Sequence, residues 1–303
     1  MLKLQLLIVT CFLSSWLYGQ ATCGLKINEV MFNPPTAGFD FVELVNHTNE
    51  ELNLSHYLIA NRDARGKISS VKRISRETLI LPAGNYLVLT ADSAWLRSYY
   101  YIPDTAIVCE LSSLPSYNDK EGTVVVLHDY DSTICDELFY QDKWHFSLID
   151  DPTGVSLERV SLEDATQNHY NWASASSSSG YGTPGRRNSQ HRSSEIESDI
   201  LTVQPKVFSP DNDGLDDFVQ LTIKLAAPGF VANAAIFDVV GRRAKYLLKN
   251  VPLGTTNLFR WDGQDDKNKA LPPGPYILMT DIFNLEGHTK KFKNVVIIGK
   301  RNQ

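Results

Sequence analysis

Short apolar runs, broken at close intervals by turn residues, constrain this chain more than any other feature. "LKINEVMF", "DFVELVN", "GNYLVLT", "GTVVVLHDY", "VANAAIFDVVG", "PYILMTDIF" and "KNVVIIGK" are rich in β-branched and aromatic residues and separated by Gly, Pro, Asn and Asp. Only "ADSAWLRSYY" has a helical look, with Asp92 placed to cap it. Many short strands with frequent turns indicate sandwiches or barrels. The 303 residues exceed one comfortable core and suit two domains. A hydrophobic share of 43% against 21% charged residues is an ordinary globular balance and argues against wholesale disorder.

The N-terminus reads as an export signal. Lys3 gives a short basic start, Leu4 to Leu17 is almost wholly apolar, and small Gly19 precedes the expected cleavage point. The run is too short for a comfortable membrane span, and no later run approaches the ~18 apolar residues one needs. A lipidated Cys11 is disfavoured, because the apolar run before it is short and the better cleavage signal lies downstream. Cleavage leaves Cys23, Cys109 and Cys135, which in an oxidising compartment suggests one disulfide and one odd thiol. Cys109 with Cys135 is the expected pair, since both sit on strand-like runs of one domain. No CxxC is present, so zinc-ribbon and thioredoxin-type motifs are excluded.

The polar run "NSQHRSSEIESDI" joins two strand-rich blocks and reads as a linker. The expected organisation is a signal peptide over 1–19, a first domain over 20–188, a linker over 189–202 and a second domain over 203–303. "SASSSSGYGTPG" reads as the last irregular loop of the first domain, pinned by Trp172 on one side and Tyr181 on the other.

Within the first block, "INEVMFNP", "DFVELVNHTNEELNLSHYLI", "LPAGNYLVL", "SLERVSLED", "NHYNWASAS" and "GTPGRRN" follow in an order and spacing that resemble the lamin tail domain family. The resemblance covers residues 25 to about 188. It implies an Ig-like β-sandwich serving interaction or tethering, sometimes attached elsewhere to hydrolases that supply the chemistry. Glu29 and Glu43 sit embedded in apolar strands. Burial raises a carboxyl pKa, so such a pair can serve acid/base chemistry. The plainer reading is that each accepts hydrogen bonds that close a turn, and the family's lack of known enzymes favours it.

"NRDARGKISSVKRISRET" gathers Arg62, Arg65, Lys67, Lys72, Arg73 and Arg76 against few acids. A basic segment on an acidic protein suits phosphate, sulfate or anionic glycan, and arginine forks suit planar anions. The alternative is a solvated hairpin whose charges keep an edge strand from pairing with other chains. No aromatics are interleaved, which disfavours single-stranded nucleic acid. The net charge of -6 likewise argues against a dedicated nucleic-acid binder.

In the second block, "VFSPDNDGLDDFVQL", "AAIFDVVGRRAKYLL", "RWDGQDDKNKALPPGPYIL" and "KKFKNVVIIGK" are similar to C-terminal Ig-like domains of secreted proteins from gliding bacteria, and to the Ig-like domain of flagellar hook-capping proteins. In those gliding bacteria such a domain often serves as the address for type IX secretion. Together the two resemblances imply an all-β chain of two Ig-like β-sandwich domains joined by a short polar linker after a signal peptide. From the residues alone, Asp262-Gly263 reverses the chain after Trp261, a residue large enough to anchor a core. The strand alternating through Tyr276, Leu278, Thr280 and Ile282 follows.

"SPDNDGLDDF" raises the question of a metal. Calcium takes ~6–8 oxygens, and Asp211, Asp213 and Asp216, with Asn212 and Gly214 bending the chain, supply several. The segment is no EF-hand, so further ligands would come from elsewhere, with Asp262, Asp265 and Asp266 as candidates. Alternatively these residues bond their own backbone and build a turn. No HExxH, GxSxG, phosphate loop or dinucleotide fingerprint occurs. His128 near Asp129 and Asp131 reads as a hairpin tip. The expectation is a secreted, non-catalytic surface protein without a certain cofactor. A surface protein or polysaccharide and the secretion machinery are its partners, and calcium-dependent or anionic-glycan adhesion is the alternative. An accessory role in a secreted hydrolase system is a further reading.

Overall fold

The computed structural model describes residues 23–192 and 200–299. The signal peptide expected over 1–19, Cys11 and the basic ending at Lys300 and Arg301 lie outside the described residues.

The first sandwich comprises β1 (Leu25–Met31), β2 (Phe41–Asn46), β3 (Leu52–Asn53), β4 (Tyr57–Arg62), β5 (Ile68–Arg73), β6 (Ile80–Leu81), β7 (Tyr86–Thr90), α1 (Ser93–Tyr99), β8 (Ile107–Glu110), β9 (Glu121–His128), β10 (Ile134–Gln141), β11 (Leu157–Arg159) and β12 (Trp172–Ser174). The second comprises β13 (Ile200–Gln204), β14 (Val207–Phe208), β15 (Val219–Lys224), β16 (Phe230–Phe237), β17 (Arg243–Leu253), β18 (Thr256–Trp261), β19 (Gly274–Asn284) and β20 (Thr289–Ile298).

A six-stranded sheet, β12-β11-β1-β2-β7-β8, faces a four-stranded sheet, β10-β9-β4-β5. Between them lie Ile27, Val30, Val42, Leu44, Leu87, Val124, Val126 and Tyr140. β2 is buried along its whole length because both its faces are covered. Val42 and Leu44 meet the opposing sheet, while Phe41 packs outward with Met31, Val88, Leu96 and Tyr100 beneath α1. Asp92 caps that helix as expected, its carboxylate accepting the Trp95 N–H at 2.8 Å. His128, Asp129 and Asp131 fall at the β9–β10 hairpin tip, also as expected, and Asp129 there pairs with Arg73.

The second sandwich stacks β13-β15-β18 on β14-β20-β19-β16-β17 around its own core. Trp261 anchors it, with ring centroids 5.3 Å from Phe208 and 5.6 Å from Tyr276. Tyr276, Leu278, Thr280 and Ile282 all point inward, and Gly263 takes the positive φ of 75° that the preceding reversal requires. Among the described residues, no helix is long and apolar enough to cross a membrane.

The disulfide corrects the sequence expectation. Cys23 bonds Cys135, and Cys109 is free. β10 packs over β1, so Cys135 lies above the start of β1, where Cys23 enters. Cys109 sits on β8, at the opposite edge of the six-stranded sheet, its thiol donating to the Ile74 carbonyl. Two cysteines on strand-like runs of one domain need not share an edge.

Ser189 and Gln190, assigned above to the linker, are fastened on both sides. Gln190 is 1% exposed, and its amide donates to Ser174 O at 2.7 Å and to Leu253 O at 2.8 Å. The Ser189 carbonyl accepts the Thr255 N–H at 2.8 Å, and the Ser178 hydroxyl donates to the Asn257 side chain at 3.0 Å. The two sandwiches therefore touch through a hydrogen-bonded seam. Elsewhere, the Gln167 side chain completes the outer edge of β10, accepting the Phe139 N–H at 2.7 Å and donating to the Phe139 carbonyl at 3.3 Å.

Candidate functional site

Three glutamates form a row across three neighbouring strands. Glu43 on β2 pairs in register with Glu29 on β1, and Glu29 pairs with Glu158 on β11. A bulge between Ile27 and Glu29 sets this up. Ile27 and Val30 both face the main core, so the extra residue turns Glu29 to the outer face together with Met31. All three carboxyl groups are fully buried.

The segment 181–190, "YGTPGRRNSQ", lies across the row and gives each glutamate one backbone N–H. Thr183 N donates to Glu29 at 2.8 Å, Gly185 N to Glu43 at 2.5 Å, and Gln190 N to Glu158 at 2.8 Å. Side chains supply the rest. Ser156 donates to Glu29, Asn28 to Glu43 at 2.7 Å, and Ser189 to Glu158 at 2.8 Å. Asn188 straps the row from above, its amide donating to the carbonyls of Asn28 at 2.9 Å and Arg159 at 2.8 Å.

The proton count follows from Thr183. Its hydroxyl oxygen lies 3.1 Å from Glu29 Oε2 and 2.8 Å from Glu158 Oε1. One hydroxyl carries one hydrogen, so two ionised carboxylates would leave one of these contacts as lone pair against lone pair. A carboxyl proton fills that gap. Burial, then the Glu158 charge, pushes the Glu29 carboxyl up to about 8. Burial, then the charge of Glu29, holds Glu43 well above the usual carboxylate range, and burial raises Glu158 as well. The row is an acid store sealed from solvent. Its bonds are spent on holding the closing segment, which is the structural role favoured from sequence over acid/base chemistry.

The basic segment forms the β4–β5 hairpin, and its six cations divide. Arg62 forks onto Glu137, with Nη2 at 2.9 Å, and Arg73 reaches Asp129 at 2.5 Å and the Ser55 carbonyl at 2.7 Å. Arg65, Lys67, Lys72 and Arg76 make no side-chain ion pair among the described residues. An anion therefore meets four unspent cations, not six.

In the acidic loop, carboxylate oxygens of Asp211, Asp213 and Asp217 lie within 4.8 Å of one another. Asp217 stands where Asp216 was expected: Asp216 has a φ of 51° and its carbonyl accepts the Ser209 N–H. The same carboxylates also brace the loop, Asp217 accepting the N–H groups of Asn212 at 2.6 Å and Gly214 at 2.9 Å. Asp262, Asp265 and Asp266 bond nearby backbone N–H groups instead of joining the cluster. Trp172 is buried and pins its side of the serine-rich loop, whereas Tyr181 stands 38% exposed.

Glu158, Thr183 and Asn188 were quoted within family-like segments but not singled out as partners of Glu29. They lie 129, 154 and 159 positions away along the chain. The usable signal is "GTPGRRN", a polar stretch with no periodicity that still ends beside a buried strand.

Two Ig-like β-sandwiches joined by a bonded seam, one carrying a buried glutamate row on the outer face of its larger sheet, define this chain's class. Residues 19–142, the larger part of the first sandwich, match the model of the Lamin Tail Domain family. β11, β12 and the closing segment follow the matched residues but belong to the same sheet and site. No curated protein matches the chain. Among solved structures, it aligns with FlgD from P. aeruginosa at 17% identity and TM-score 0.25, covering 35% of this chain and 78% of that one. It aligns with dimeric latent PorU from Porphyromonas gingivalis at 11% identity and TM-score 0.27, covering 91% of this chain and 20% of that one. PorZ, described as an essential bacterial surface component of the type IX secretion system of the same organism, aligns at 13% identity and TM-score 0.24 over 89% of this chain and 38% of that one. The chain thus spans well under half the length of PorU and PorZ, and overlaps of this quality assign it no role.

Proposed function

We propose that this chain is a secreted, non-catalytic protein of the cell surface, with the lamin tail domain as the interaction or tethering module and the second sandwich serving secretion or attachment. The observation that carries this reading is the destination of the closing segment. Residues 181–190 spend the chain's most perturbed acids on closure, and the same segment ends in Ser189 and Gln190, which fasten the second sandwich. The polar chemistry of the interior serves assembly. Cell fractionation and protease shaving of cells producing either the full chain or a chain ending at Arg192 test it. The full chain is expected at the surface and the shortened one inside; equal surface delivery of both overturns the proposal.

A second reading, calcium binding at Asp211, Asp213 and Asp217, is favoured by the Oδ1 atom of Asp211, which is buried without a hydrogen-bond partner among the described residues. Three carboxylates supply part of the ~6–8 oxygens that calcium takes, and backbone carbonyls and water complete such sets. Bound there, the ion would supply charge neutralisation and loop rigidity. Melting temperatures with calcium and with chelator decide it. A rise of several degrees with calcium, lost in Asp217→Asn, is expected, and identical curves end this reading.

A further inference from the structure

We propose that the cleft between the two sandwiches is a binding site for a neutral saccharide chain, whose sugar faces stack on Tyr99 and Tyr181 while Asp150, Asp151 and Lys249 bond its hydroxyls. The cleft has a volume of about 320 Å³ and draws its walls from both sandwiches. The proposal rests on the tethering reading only in placing the protein where polysaccharide is met.

The aromatic wall is held in place. Tyr99, 46% exposed, stacks on Trp95 with ring centroids 5.3 Å apart and 13° between the planes. Its phenol lies over Gly154, where a Cβ would stand 2.5 Å from the hydroxyl, so the glycine keeps the ring's position open. Tyr181 has a φ of 65°, a conformation that bulky residues rarely adopt. Its N–H donates to Ser176 O and its carbonyl accepts the Ser156 N–H, both at 3.0 Å. These clamps hold the backbone in the unusual conformation, and Tyr181, 38% exposed, lines the cleft.

The polar wall is equally deliberate. β17 carries a bulge where Lys249 and Asn250 meet β16, and Asn250 takes a φ of 49° with its N–H donating to Asn233 at 2.7 Å. The bulge brings Lys249 to the cleft, where it has no ion-pair partner among the described residues. Asp150 lines the cleft from the first sandwich with no hydrogen bond among the described residues, and Asp151 uses one oxygen on the Thr153 N–H at 2.9 Å.

Two carboxylates and one ammonium give a site of mixed sign, which suits neither a polyanion nor a polycation. Flat aromatic faces beside carboxylate acceptors and an ammonium donor match a molecule with apolar C–H faces and a rim of hydroxyls, which is the chemistry of a neutral sugar. The seam through Gln190 and Ser189 fixes the two walls relative to each other, so the site is preorganised.

The test is titration calorimetry of the purified full chain against neutral hexasaccharides of glucose, mannose, xylose and N-acetylglucosamine. At least one is expected to bind, with affinity falling about tenfold or more in Tyr99→Ala, Tyr181→Gly and Asp150→Ala. The glycine keeps the backbone of residue 181 at ease, and Asp150 is exposed, so folding is retained and is checked by circular dichroism. No heat from any hexasaccharide up to about 10 mM, or binding unchanged in all three variants, overturns the proposal. The fractionation experiment turns on removal of the second sandwich and this titration on the cleft walls of the full chain, so the two outcomes are read separately.

Discussion

Glu29 and Glu158 stand as direct cross-strand partners on β1 and β11, with the Thr183 hydroxyl reaching both carboxyl groups. Like charges directly opposite one another on a sheet repel, and here both carboxyl groups are fully buried. The arrangement is stable because a proton is retained between them. The row thus works as a latch for residues 181–190 only while it stays partly neutral.

That latch has a pH signature. The folded Glu29 carboxyl is raised to about 8 from 4.5, and burial raises Asp40 to about 7 from 3.8. Between these limits the folded chain holds more protons than the unfolded one, so stability falls as pH rises. Buried His145, lowered to about 4 from 6.5, acts in the opposite sense, but only below 6.5. The net fall is therefore expected between pH 6.5 and 8, on the order of 1–2 kcal/mol, read from urea midpoints. Glu29→Gln, whose amide donates to Thr183 as the protonated acid does, should be more stable than the parent at pH 8 and close to it at pH 6.5.

The Cys23–Cys135 bond closes a loop with a sequence separation of 112. Constraint of the unfolded chain over so long a loop is worth roughly 5 kcal/mol in the entropic account. Cys23→Ser should show that loss in denaturant melts, whereas Cys109→Ser, which removes a free thiol, should change stability far less. Peptide mapping under non-reducing conditions checks the pairing.

Gln190 joins Ser174, Leu253 and Gly229 across the seam. Gln190→Ala removes these three hydrogen bonds, two of them buried, at a cost of about 1–3 kcal/mol. Calorimetric melts are expected to show one joint transition in the parent and two separated ones in the variant, each sandwich then melting on its own core.

Among the hairpin cations, Arg65, Lys67, Lys72 and Arg76 are free to meet an anion, whereas Arg62 and Arg73 are held by Glu137 and Asp129. If the hairpin retains a sulfated glycan, Lys72→Glu and Arg76→Glu should lower the salt needed for elution from a heparin column by more than Arg62→Gln does. Equal elution of all variants removes the hairpin from consideration as an anion site.

Local features of this fold were legible and long-range ones were not. Strand alternation, the Asp92 cap, the Asp262-Gly263 reversal and the Trp261 anchor each depend on neighbours within a few residues. The glutamate row was half visible, since Glu29 and Glu43 are polar residues in apolar strands, but Glu158 joins them through sheet order alone. The same limit explains the disulfide. Ser189 and Gln190 read as linker because polar residues normally stay in water, and nothing local announces that their hydrogen bonds are met on both sides. Asp217 was passed over for Asp216, since spacing along a turn does not say which carboxylate folds back.

The amide of Gln167 occupies at Phe139 the place that another strand's peptide group would take. A second molecule seeking to extend the four-stranded sheet from β10 would first have to expel that side chain.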